Sequence, residues 1–137
     1  FKGPHINTFG GNPLSTRAAH VTIDMIEKKH LVANAKKQGD ALLAGLRDLA
    51  KKFPIMGEVR GRGLMIGVEL VKDAKSKAYY PEAANRVLEA MRERGVLLGK
   101  GGRFGNILRI QPPLIFSSDD VNVFLKALES SLAHVSS

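Results

Sequence analysis

The sequence contains no cysteine and no tryptophan, and only two tyrosines. The first absence excludes disulfides and thiolate metal sites without fixing a compartment. The scarcity of aromatics leaves few of the stacking platforms that single-strand nucleic-acid binders use. Long apolar runs are missing too, since nothing approaches the roughly 18 residues of a membrane span. Acidic residues are the minority, 13 against 21 lysines and arginines, for a formal net charge of +8. A surplus of that size attracts phosphates, nucleic acid or an acidic partner surface. The cations, however, are spread from Lys28-Lys29 to Arg103, several of them among acids on polar helix faces. A basic nucleic-acid or anion-binding module without catalysis is the alternative reading that this charge supports.

What is present describes one folded domain. With 44% hydrophobic and 25% charged residues over 137 positions, a real core can be buried and disorder is not expected. The chain opens at Phe1 with neither an initiator methionine nor a signal-peptide pattern, so a fragment, a processed piece or an excised domain is expected. The histidines His5, His20, His30 and His134 form no pair at metal-ligand spacing. No serine lies in a nucleophile-elbow string, and Glu27, Glu58, Glu69 and Glu82 read as solvated or paired acids. Neither hydrolase chemistry nor a metal site is indicated.

The stretch with most chemical content is Asn7-Thr8-Phe9-Gly10-Gly11-Asn12-Pro13-Leu14. Two glycines permit tight backbone, Asn12 is a good helix N-cap and Pro13 suits the first helical position. A helix starting there aims orphan N–H groups and a positive dipole end at the loop, which suits a phosphate. Thr8 adds a hydroxyl beside that place. By composition alone the same string is a capped turn into a surface helix.

Downstream, Leu14, Ala18, Val21 and Met25 predict a helix with one apolar stripe to about Lys29. A second helix reads through Leu31, Ala35, Leu42, Leu46 and Leu49 to Phe53, with lysines and Gln38 on its wet face and Pro54 ending it. Val59, Gly61-Arg62-Gly63 and Leu64 to Val71 predict two strands around a glycine-rich bend. These glycines are not a dinucleotide fingerprint, because the spacing is one residue too long and a strand follows instead of a helix. After a polar linker, Pro81 opens a helix with Ala84, Val87, Leu88 and Met91 inward, and Gly95 stands at its C-terminal cap. Val96-Leu97-Leu98 reads as a short buried strand, and Gly99 to Asn106 as a mobile loop over a site. Ile107 to Ile110 is a further strand, stopped by Pro112-Pro113. Ser117 and Asp120 give a capping-box-like start to a last helix with Val121, Phe124, Leu125, Leu128 and Leu132 as its core face. This order predicts an α/β layer with helices on one face of a small, largely antiparallel sheet.

Arg109 interrupts the apolar strand Ile107-Leu108-Arg109-Ile110. It must either reach water, as an edge-strand arginine does, or find an anion. Its planar fork grips a carboxylate at two points, which lysine cannot copy.

The string from Asn7 to Leu14 resembles the signature of class III pyridoxal-phosphate aminotransferases. So do Val59 to Leu70, and the run Gly95 to Gly102 followed by Leu108-Arg109-Ile110-Gln111-Pro112-Pro113-Leu114. Within the class, Gly99-Lys100-Gly101-Gly102 with Phe104-Gly105-Asn106 and Arg109 is most similar to the alanine–glyoxylate aminotransferases. The resemblance runs from Thr8 to about Ala133. It implies pyridoxal 5'-phosphate as cofactor, with Thr8, flanked by Asn7, Phe9 and Gly10, at the phosphate of the neighbouring subunit's cofactor. It implies Arg109 as the receiver of the substrate carboxylate, a position where the related phospho-lyases tend to lack arginine. Residues 1–29 would be the edge of the large domain and a long interdomain helix, and residues 30–137 the α+β-like small domain. The expected partners are amino acids, 2-oxo acids such as glyoxylate or pyruvate, and further copies in a homodimer or dimer of dimers. Neither nucleic acid nor membrane is expected. The family's Schiff-base lysine and the aspartate at the pyridine nitrogen precede the threonine motif, so no catalytic residue is assigned here and the isolated chain is expected to be inactive. A mitochondrial location is expected, with the cytoplasm as alternative.

Overall fold

Asn12 begins the first helix as its sequence suggests, its Oδ1 accepting from the Ser15 N–H at 2.9 Å while Pro13 takes the first helical position. The computed structural model describes Thr8 and residues 10 to 136. In chain order the elements are α1 (Pro13–Lys28), α2 (Leu31–Lys52), β1 (Met56–Arg62), β2 (Met65–Leu70), α3 (Pro81–Glu93), β3 (Gly99–Gly101), β4 (Ile107–Ile110) and α4 (Ser118–Ser136). They fall into two compact units, one reaching to Val32 and the other running from Ala33. In the first unit α1 has its expected pattern, but none of its residues is buried. Leu14, Val21, Ile23 and Met25 are all exposed.

The second unit is built on a four-stranded, wholly antiparallel sheet of order β1-β2-β4-β3. Alternation decides its two faces. Ile66, Val68 and Leu70 of β2 and Leu108 and Ile110 of β4 point one way and are buried. They join Leu42, Leu46 and Leu49 of α2, Val87 and Met91 of α3, and Phe124, Leu128 and Leu132 of α4 in one core. Helices thus cover one face, while the other carries Arg60, Gly67 and Arg109 side by side across three strands.

Three local expectations are corrected. Val96-Leu97-Leu98 is not a strand, and Leu97 is 87% exposed. The Gly95 N–H bonds Arg92 O and the Val96 N–H reaches back to Met91 O, both at 3.0 Å, so Val96 serves the C-terminal cap of α3. Gly95 at φ +77° is the left-handed residue this cap needs. The strand instead comes from Gly99-Lys100-Gly101, three residues of the expected loop, paired with Arg109, Leu108 and Ile107. The rest of that loop is held at Phe104, whose ring stacks on Tyr79 at 4.0 Å. Gln38, expected on the wet face of α2, is only 5% exposed and lies against Asn34 and Ser118. Ser117 and Asp120 form the anticipated capping box, the Ser117 N–H and Oγ donating to Asp120 Oδ2 and the Asp120 N–H to Ser117 Oγ.

Candidate functional site

Arg109 lies on an interior strand, between β2 and β3, so the edge-strand reading does not apply. Its cross-strand partners are Gly67 on one side and Gly99 on the other. Two residues without side chains leave a slot in which the guanidinium can lie close to the sheet. A Cβ built on Gly99 would stand 3.5 Å from Arg109 Nη2 and 3.6 Å from Nε, so the fork lies directly over the β3 backbone. The side chain opens on a cleft of about 390 Å³ lined mainly by apolar groups, among them Leu98, Pro112, Pro113, Phe116 and Phe124. No carboxylate is within ion-pair distance of Arg109 among the described residues. Arg60, on the far side of Gly67, is different, because it is paired with Glu58 and lies 3.6 Å from Glu69. The row therefore presents one neutralised cation and one available cation. A planar, unpaired guanidinium beside apolar walls suits a carboxylate on a small organic molecule.

The expected phosphate-binding turn belongs to the other unit. Thr8 and Gly10 are exposed in the turn before α1, and Gly11 at φ +75° would have nothing within 4 Å of an added Cβ. Asn7 and Phe9 lie outside the described residues. The helix start offers fewer free donors than its sequence suggests. Pro13 has no N–H, Asn12 Oδ1 takes the Ser15 N–H, and Asn12 O accepts from the Thr16 N–H at 3.0 Å. Among the described residues, that leaves the Leu14 N–H of the first turn for an outside anion. No acidic side chain stands in the first turn to oppose one. An open glycine turn, a hydroxyl and a free helix N–H fit the phosphate of a cofactor.

Sequence reasoning overlooked Asn34. Its Nδ2 donates to Leu114 O at 2.8 Å and Phe116 O at 3.0 Å, tying α2 to the segment that follows Arg109. A lone asparagine in a lysine-rich helix gives no sequence signal of such a contact. No group of three or more metal-ligating side chains occurs among the described residues. No described helix is long and apolar enough to cross a membrane.

The sheet and its helical cover are those of a known enzyme class. Residues 1–132 match the model of the aminotransferase class-III family. The chain is 46% identical over 129 residues to the mitochondrial alanine–glyoxylate aminotransferase 2 homolog 2 of Arabidopsis thaliana, covering 94% of this chain and 27% of that protein. Its fold is similar to that of a solved aminotransferase from Bacillus anthracis, with a TM-score of 0.88 and 32% identity over 96% of this chain and 30% of that one. It is also similar to an Arthrobacter phospholyase solved with phosphoethanolamine, with a TM-score of 0.89 and 35% identity over 94% of this chain and 31% of that one. The chain belongs to the aminotransferase class-III family. It spans under a third of the length of these three relatives.

Proposed function

We propose that these residues are the C-terminal part of a pyridoxal-phosphate-dependent aminotransferase in which Arg109 receives the carboxylate of the amino acid or 2-oxo acid. Family membership supports the reaction class. The observation that carries the substrate reading is the unpaired guanidinium of Arg109, framed by Gly67 and Gly99 beside an apolar cleft. The same arginine favours transamination over the phospho-lyase chemistry found elsewhere in the family. When bound, pyridoxal phosphate supplies an electron-withdrawing ring that labilises bonds at the amino-bearing carbon. The residues here supply grip and orientation. A two-point hold on the carboxylate fixes its position and plane, and that orientation removes part of the entropic barrier to reaction. Arg60, already neutralised by Glu58 and Glu69, does not compete for the same anion.

Thr8 and the Leu14 N–H are the proposed donors to the cofactor phosphate, with Gly10 keeping the approach clear, and Asn7 and Phe9 are proposed as further cofactor-binding residues on the family resemblance. By family resemblance that phosphate is the neighbouring subunit's, in a homodimer or dimer of dimers. The proposed substrates are alanine, or a similar amine donor, and a 2-oxo acid such as glyoxylate or pyruvate, and the name of the Arabidopsis relative supports the alanine–glyoxylate pair. The mitochondrial location in that name is proposed here also. Residues 1–29 are proposed as the edge of the large domain with its connecting helix, and residues 30–137 as the small domain. No residue of this stretch is assigned as the Schiff-base lysine, so the 137 residues alone are proposed to be inactive.

The test is Arg109→Lys in the full-length protein. Loss of a charged fork should weaken the amino-acid substrate by about 2–3 kcal/mol in kcat/KM, while cofactor content stays unchanged. An unchanged kcat/KM would remove Arg109 from the site. Thr8→Ala should do the reverse, loosening cofactor retention in the purified protein while the fold persists.

A further inference from the structure

The segment that leaves β4 after Arg109 has little means of holding itself in place. It runs from Gln111 to Ser117, and Pro112 and Pro113 contribute no N–H groups. Its one internal backbone hydrogen bond joins the Phe116 N–H to Pro113 O at 3.0 Å. Yet Pro112, Pro113 and Phe116 form a wall of the cleft on which Arg109 opens. Besides the Ser117–Asp120 cap at its far end and the packing of Phe116 on the core, the hold comes from Asn34 in the first turns of α2. Its single Nδ2 donates to two carbonyls of the segment, Leu114 O at 2.8 Å and Phe116 O at 3.0 Å. Two acceptors at one end settle which end of the amide is nitrogen. The other end, Oδ1, accepts from the buried Gln38 Nε2 at 3.4 Å, and Gln38 in turn lies 3.5 Å from Ser118 Oγ at the start of α4. A short polar chain thus fixes the amide, and the amide fixes the segment at both ends of its exposed Ile115.

We propose that Asn34 is a positioning residue for the carboxylate site, holding the wall formed by Pro112, Pro113 and Phe116 at a set distance from the Arg109 guanidinium. The inference rests on the reading of Arg109 as the carboxylate partner. Carboxylate binding needs the wall in place, so apparent affinity scales with the fraction of molecules in which the segment is docked. Without Asn34 the two carbonyls turn to water and that fraction falls.

The test uses the full-length, cofactor-loaded protein with Asn34→Ala and Asn34→Asp. Alanine removes both donors at a helical position that it favours. Aspartate keeps the shape but faces the carbonyls with acceptors, and provides a second variant if alanine compromises folding. Two readouts are taken, amide hydrogen exchange across residues 111–117 and the inhibition constant of propionate, which has a carboxylate and no amino group. Both variants should speed exchange in that segment and weaken propionate about tenfold, with α3 and α4 exchanging as before. Faster exchange with unchanged propionate binding would make Asn34 merely structural and overturn the proposal, as would unchanged exchange. Arg109→Lys is measured alongside. If it weakens propionate and the Asn34 variants do not, only this inference falls. If it does not, or if propionate fails to bind the unsubstituted protein, the Arg109 reading falls and this inference with it.

Discussion

A methyl group at position 99 and an isopropyl group there should have very different consequences. The built Cβ of Gly99 stands 3.5 Å from Arg109 Nη2 and 3.6 Å from Nε, ordinary van der Waals distances. Gly99→Ala therefore fits without moving the guanidinium and also removes some unfolded-state freedom, a stabilisation of about 0.5 kcal/mol. Gly99→Val places two further carbons about 1.5 Å beyond that Cβ, so that one of them meets the fork unless the fork retreats by about an ångström. A misplacement of that size can lower the rate about a hundredfold. Steady-state kinetics on the full-length protein should show Gly99→Ala within about twofold of the unsubstituted protein and Gly99→Val down by one to two orders of magnitude in kcat/KM for an amino acid. A carboxylate-free amine should be affected less. Equal kcat/KM for both variants would mean that the guanidinium's place over β3 does not matter to the substrate.

Gly39→Ala tests the packing of α2 against the β1–β2 turn. Its Cβ would fall 2.2 Å from Gly63 O in the β1–β2 turn, a backbone atom that cannot step aside, so about 2 kcal/mol or more of stability should be lost. Thermal unfolding followed by circular dichroism would show it as a lowered Tm, and an unchanged Tm would contradict the contact. Asp120 gives a pH-dependent prediction. The Ser117 hydroxyl and then the Ser117 backbone N–H hold its carboxyl below the ordinary value of 3.8. A depressed folded-state value adds stability above the unfolded value that is lost as pH falls through the folded one. Asp120→Asn should thus melt earlier than the unsubstituted protein at pH 7, with the difference closing below about pH 4. A difference independent of pH would show that the carboxylate charge is not what closes the cap.

Most of the second unit could be anticipated because its signals are local. Pro54, Pro81 and Gly95 punctuate the helices, and the alternation of Ile66, Val68 and Leu70 marks the buried sheet face. The Asn12 and Ser117–Asp120 caps are read from spacing alone, and both are formed. The errors lie where partners distant in sequence decide. Val96-Leu97-Leu98 has strand propensity, but β4 pairs with the glycines after it, and the α3 cap takes Val96 first. Gln38 is polar by type and buried by position, since Asn34 and Ser118 receive it. Strand order across four segments is a non-local property, which is why Arg109 could not be placed on an interior strand in advance. The slot made by Gly67 and Gly99 depends on the same pairing.

The most direct measurement is a crystal structure of the full-length protein with its cofactor and a bound 2-oxo acid such as pyruvate. The expected result is the carboxylate in the slot between Gly67 and Gly99, both oxygens within about 3 Å of two Arg109 nitrogens. A carboxylate seated elsewhere, with the Arg109 fork turned to water, would contradict it.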